Sequence, residues 1–185
     1  AYIFKYNRLQ VPVISEMKPN YKILIADDEK GVRELLKDLL FPSFEVETID
    51  RGDTIIEKLR SNLFDILILD LQLPGMYGID VLRQIHENKI NIAVVVITAS
   101  NDIDNAITSM KLGAYDYIVK PFDTDKLLVI LKNIVEKLDL ENEVTILRKQ
   151  IGENFRFNNI IGDSEPIRKI FSTLEKVIDT DSTIL

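Results

Sequence analysis

The sequence predicts an α/β fold: a five-stranded parallel sheet in the order 2-1-3-4-5, doubly wound, with an extended C-terminal linker helix. Three observations predict it. Runs such as ILIL (66–69) and VVVI (94–97) are apolar without alternation, which is how a strand covered by helices on both faces reads. Between such runs, apolar residues recur at helical spacing. Five strand–helix repeats fit in about a hundred residues, and a sheet of that size suits the 2-1-3-4-5 order.

The elements follow in chain order. YKILIA (21–26) is the first strand, and Val32, Leu35, Leu36, Leu39 and Leu40 mark a helix that Pro42 stops. FEVETI (44–49) alternates as a half-buried strand does, and Ile55, Ile56 and Leu59 mark the second helix. FDILIL (64–69) is the third strand, followed by a helix carrying Ile79, Leu82 and Ile85. NIAVVVIT (91–98) is the fourth strand. Its helix carries the stripe Ile103, Ala106, Ile107 and Met110 and closes at Gly113 as a left-handed cap. YDYIV (115–119) is the fifth strand, and a helix starts after Pro121.

That last helix runs without Pro or Gly from Asp125 to about Ile151, beyond the usual length. Leu131, Ile134 or Val135, and Leu138 form one seam, and Leu140, Val144, Leu147 and Ile151 a second, out of register with the first. Interleaved with charge, this pattern predicts a short dimeric coiled coil with a stutter near 138–142; the alternative is a helix that folds back on its own domain. Beyond Gly152, Ser164-Glu165-Pro166 starts another helix whose apolar face (Ile167, Ile170, Phe171, Leu174, Val177, Ile178) has no partner, so 153–185 reads as a fragment of a further domain. Residues 1–20 read as a flexible leader, with a short ordered strand as the alternative.

Composition narrows the function classes. A 46% hydrophobic content suits a packed core, and a net charge of -7 without a basic stripe argues against nucleic-acid binding by this segment. Zero cysteines exclude disulfides and thiolate metal sites and fit a reducing, cytoplasmic setting. No apolar run approaches the length of a membrane span, and the leader lacks a signal-peptide core.

Chemistry concentrates at one sheet edge. In ILILDLQLPG (66–75), Asp70 follows a buried strand directly, at the carboxyl edge where open α/β sheets bind ligands. By itself such an aspartate is as readily a helix N-cap. Asp27 and Asp28, however, close the first strand, which neighbours the third in the proposed order. Unit charges about 4 Å apart repel by ~4 kcal/mol at an effective dielectric near 20. Three acids at one point demand a cation, and an oxygen-only set without His or Cys points to Mg2+ or a similar hard ion. Thr98 ends the fourth strand and Lys120 the fifth; a hydroxyl and an ammonium there are the donors that hold phosphoryl oxygens. The edge can therefore accept a phosphoryl group on Asp70 as an acyl phosphate. His86, the only histidine, lies on the third helix and reads as a surface residue.

DD (27–28), LDLQLPG (69–75), ITAS (97–100) and YDYIVKPF (115–122) resemble the receiver domain of bacterial two-component response regulators, a fold of the flavodoxin and CheY type, over residues 21–139. The resemblance implies Asp70 as phosphoacceptor, Asp28 as a direct Mg2+ ligand, Asp27 as a ligand through water, and the Gln72 carbonyl as a further ligand. It implies Thr98 and Tyr117 as the switch pair, Lys120 as the phosphoryl-binding lysine, and a cis Lys120–Pro121 peptide. It also implies a sensor histidine kinase as partner, and a dimer through the linker or through the fourth helix, fifth strand and fifth helix. Tyr77 stands where many receivers carry an acid, and Gln72 and Ser100 occupy positions that tune the lifetime of the phosphoryl group.

The tail IIGDSEPIRKIFSTLEKVIDTDSTIL resembles the start of the AAA+ domain of NtrC-type activators of sigma-54-dependent transcription. The expected organisation is a leader (1–20), a receiver (21–139), a helical linker (140–152) and an AAA+ fragment (153–185). No G-x-x-x-x-G-K-[ST] loop occurs, so a regulatory phosphoacceptor rather than an enzyme is expected. Two rivals remain. A pseudo-receiver would have lost an acid, the threonine or the lysine. A Mg2+-dependent phosphohydrolase wants a second acid two residues after its nucleophile, where Gln72 stands.

Overall fold

A computed structural model of the chain describes residues 21–61, 63–99, 102–154 and 164–166, without the side chains of 149–154. The leader, Ser100 and nearly all of the expected AAA+ fragment lie outside the described residues. The elements are β1 (Lys22–Ala26), α1 (Lys30–Leu40), β2 (Glu45–Ile49), a 3-10 turn (Gly52–Thr54) leading into α2 (Ile55–Ser61), β3 (Ile66–Leu69), α3 (Gly78–Glu87), β4 (Ala93–Thr98), α4 (Ile103–Lys111), β5 (Asp116–Val119) and α5 (Thr124–Asn154). All neighbouring strands are parallel and the sheet order is β2-β1-β3-β4-β5, as the repeat pattern predicts.

Burial explains the strand sequences. All four residues of β3 are buried, as are Ile23–Ala26 of β1 and Val94–Thr98 of β4, because helices cover both faces of the central strands. The edge strand β2 keeps Glu45 and Thr48 exposed, and its sequence is correspondingly mixed. Leu36 and Leu40 of α1, Ile55, Ile56 and Leu59 of α2, and Val81, Leu82 and Ile85 of α3 pack against the sheet. Gly113 follows α4 at φ +93°, the left-handed conformation expected of it.

Two helices carry apolar residues outside the core. The apolar stripe of α4 faces outward: Ile103 is 73% exposed, with Ile107 and Met110 also exposed, while Ser109 is fully buried. Ser109 tolerates that position because its hydroxyl donates to the Asn105 carbonyl one turn back, at 2.7 Å. In α5 the two seams part company. Of the first seam, Leu131, Ile134 and Val135 are buried in the core, as is Leu127 before them, while Leu138 is half-buried. Leu140, Val144, Ile146 and Leu147 are exposed, and the chain divides into two compact units between Val135 and Glu136. The shift of register falls near that division, with buried apolar residues before it and exposed ones after it.

Candidate functional site

Parallel pairing brings the strand ends to one edge. Ala26 lies opposite Leu69 in the β1–β3 ladder, and the next amide, that of Asp70, donates to the Ala26 carbonyl at 2.8 Å. Asp27 and Asp70 therefore leave adjacent strands at the same level, and both are buried. On the other side, Thr98 pairs with Val119, and the Lys120 amide donates to the Thr98 carbonyl at 2.8 Å. The Lys120 side chain reaches across β4 and β3 to the acids.

Its ammonium is shared. Lys120 Nζ lies 2.7 Å from Asp70 Oδ2, 2.8 Å from Asp27 Oδ2 and 3.0 Å from Glu29 Oε1. The second oxygen of each buried carboxylate accepts a backbone N–H: Asp27 Oδ1 from Glu29 at 2.9 Å, Asp70 Oδ1 from Gln72 at 3.0 Å. One cation and two amides thus fix the carboxylate planes. Burial pushes the Asp27 carboxyl above its ordinary pKa, partly offset by the hydrogen bond to Lys120 and helped upward by Asp70. For Lys120, burial acts to lower the pKa, but the hydrogen bonds to Asp27, Asp70 and Glu29 outweigh it and hold the ammonium charged well above its ordinary range.

Carboxylate oxygens of Asp27, Asp28, Glu29 and Asp70 lie within 4.8 Å of one another. Two of these residues are buried and two exposed, so the cluster opens at one side. Four carboxyl groups gather near the Lys120 ammonium, and the donors among these residues are all oxygen. That set fits a hard divalent cation such as Mg2+. Glu29 was not among the acids singled out from the sequence; its signal was there as the third consecutive acid in ADDE (26–29), but nothing in a row of acids says which of them turn to the same point.

The remaining expected residues lie around this cluster. Thr98 is fully buried at the end of β4. Tyr117 is half-buried, packs against the core and pairs with Val96, two residues below Thr98. Gln72 is held to Asp70 by its amide; its carbonyl as a ligand remains an expectation. Lys120–Pro121 is cis. His86 is exposed on α3.

The Pro74-Gly75 turn is explained by the loop from Asp70 to Tyr77. Gly75 has φ +86°, Pro74 accepts from the Gly52 amide at 3.0 Å, and the Gly78 amide donates to Leu71 at 2.9 Å, so the loop after Asp70 is tied at both ends. Gly78 itself is a close approach: a Cβ there would lie 2.5 Å from the Asp70 carbonyl oxygen.

Residues 23–132 match the family model described as the response regulator receiver domain. The regulatory protein AtoC of Escherichia coli is 26% identical over 165 residues, 89% of this chain but 36% of its own length, so the chain spans about a third of such relatives. The receiver domain of a LuxO repressor protein from Vibrio parahaemolyticus superposes with a TM-score of 0.64 at 28% identity, over 67% of this chain and 96% of that one. NtrX from Brucella abortus superposes at 0.61 and 29% identity, over 87% of this chain and 35% of that one.

Proposed function

The chain belongs to the response regulator receiver family, and on that premise we propose that Asp70 accepts a phosphoryl group from a sensor histidine kinase and thereby switches a cytoplasmic transcription activator. The observation that carries this reading is the shared ammonium: Lys120 Nζ sits within 3.0 Å of Asp70, Asp27 and Glu29 at an oxygen-lined cluster. An Asp70 oxygen attacks phosphorus, the P–N bond to the donor imidazole breaks as the P–O bond forms, and the imidazole leaves with its electron pair. Lys120 then moves from neutralising the carboxylate to neutralising phosphoryl oxygens. Asp27, Asp28 and Asp70, with the Gln72 carbonyl, would hold Mg2+, which would supply charge neutralisation at the transferring group. Thr98 donates its hydroxyl to the phosphoryl group, and Tyr117, half-buried now, turns inward as Thr98 shifts.

Such a switch needs two packings a few kcal/mol apart, biased by the new charge. Residues 21–139 form the receiver, 140–152 the linker and 153–185 the start of an AAA+ domain of the NtrC type, so the output is the geometry of a homodimer that governs a sigma-54-dependent activator. The exposed stripe Ile103, Ile107 and Met110 on α4 and the seam Leu140, Val144 and Leu147 on α5 support that output. Among the described residues no helix is long and apolar enough to cross a membrane.

Incubation with acetyl phosphate and Mg2+, followed by intact-mass measurement, tests the reaction. One phosphoryl adduct is expected on the parent and none on Asp70→Asn. An adduct of equal yield on that variant contradicts the assignment.

A further inference from the structure

The acidic segment 27–29 has to hold three neighbouring carboxylates against their own repulsion, with Asp27 buried and Asp28 and Glu29 exposed, all reaching one point. The side chain of one residue of α1 grips the backbone of the first two. Arg33 Nη1 donates to the Asp27 carbonyl at 2.7 Å and to the Asp28 carbonyl at 2.9 Å, and the Arg33 amide donates to the Glu29 carbonyl at 3.1 Å. The guanidinium thus holds the first two carbonyls, while the third takes the ordinary first-turn bond of α1, which any residue at 33 makes. The guanidinium charge goes to main-chain oxygens, which leaves the carboxylate oxygens of the cluster to a cation.

From this we infer that Arg33 is a positioning residue for divalent-cation binding: its guanidinium fixes the two peptide planes that follow Asp27 and Asp28, so that these acids converge with Asp70. A guanidinium suits this task because its planar fork presents several donors in fixed geometry, whereas an ammonium is a single point. The inference rests on the phosphoacceptor reading above for the use of the cation, and on the hydrogen bonds alone for the hold on the loop.

The experiment uses the whole chain with Arg33→Ala, Arg33→Gln and Arg33→Lys, Mg2+ alone as the probe, and amide chemical shifts as the readout. Removing a group that orients metal ligands weakens metal affinity by about 10-fold or more. Arg33→Ala is expected to raise the Mg2+ Kd by that factor, with Arg33→Lys recovering part of the loss. In metal-free protein, the Glu29 amide, which donates to Asp27 Oδ1, is expected to exchange with solvent faster in Arg33→Ala than in the parent. A merely structural arginine would lower the melting temperature and leave both readings unchanged, which would overturn the inference. Should Arg33→Ala not fold, Arg33→Gln, which keeps a donor without the charge, decides by the same two readings. A parent that binds no Mg2+ sinks the phosphoacceptor reading, and the Glu29 exchange rate still decides whether Arg33 holds the loop.

Discussion

Asp27 is the residue at which stability and function oppose each other. Its carboxyl is held above its ordinary pKa of 3.8 chiefly by burial. A carboxyl whose folded pKa exceeds its unfolded one favours the fold while protonated, below the unfolded value, and that contribution is lost as pH rises through the folded value. Above the unfolded value, ionisation of Asp27 therefore works against folding of the metal-free protein. Asp27→Asn removes the charge but turns an NH2 toward either the Glu29 amide or Lys120; with relief of the buried charge the larger effect, it is expected to stabilise the metal-free chain by roughly 1 kcal/mol while weakening Mg2+ binding. The stability gap to the parent narrows as pH falls through the folded pKa of Asp27. Urea unfolding across pH checks this; a variant less stable than the parent at pH 7 contradicts it. At this scale the sequence revealed residue types and spacing. Asp27, Asp28, Asp70, Thr98 and Lys120 fall at strand ends that parallel pairing brings to one edge, and that is legible once the strand order is. Glu29, Arg33 and Gly78 were not, because their parts depend on where a side chain or a missing Cβ points, and no periodicity encodes that.

The loop between β3 and α3 is the element that aims Asp70. Gly78 opens α3 against the backbone of the residue it serves: an added Cβ would meet the Asp70 carbonyl oxygen at 2.5 Å and the Leu71 Cα at 2.7 Å. Both are main chain and cannot swing aside. Gly78→Ala is expected to lower stability by about 2 kcal/mol and to shift the Asp70 amide resonance, since overpacking a rigid site moves backbone. Equal stability with an unmoved Asp70 amide argues against this account of the loop. The strands were readable element by element because covered strands must be apolar throughout. The face of α4 was not. Helical spacing tells which residues share a stripe, but burial of Ser109 and exposure of Ile103 depend on which side of the helix meets the sheet. A serine that satisfies its hydroxyl on its own helix is as good a buried residue as an alanine of similar size, and the sequence does not distinguish the two outcomes.

At the scale of the molecule, α5 is both core and extension. Its length was legible from the absence of Pro and Gly, and its change of seam from the register shift; the point of exit from the core, after Val135, needed the packing. An exposed seam of Leu140, Val144 and Leu147 at 4-3 spacing is short for an isolated helix pair, so its dimer is expected to be concentration-dependent. Sedimentation of the parent against the double variant Leu140→Glu, Leu147→Glu checks it: a dimer is expected only for the parent, and a parent that stays monomeric at high concentration excludes this seam as the dimer contact. The central claim is that the shared ammonium and its acids form a phosphoacceptor site at Asp70. Its most direct test is a two-dimensional amide spectrum taken with Mg2+ and beryllofluoride, a stable mimic of the phosphoryl group. Shifts are expected at Asp70, Thr98, Tyr117 and Lys120 in the parent and not in Asp70→Asn; a spectrum unmoved in the parent, or moved equally in the variant, would contradict it.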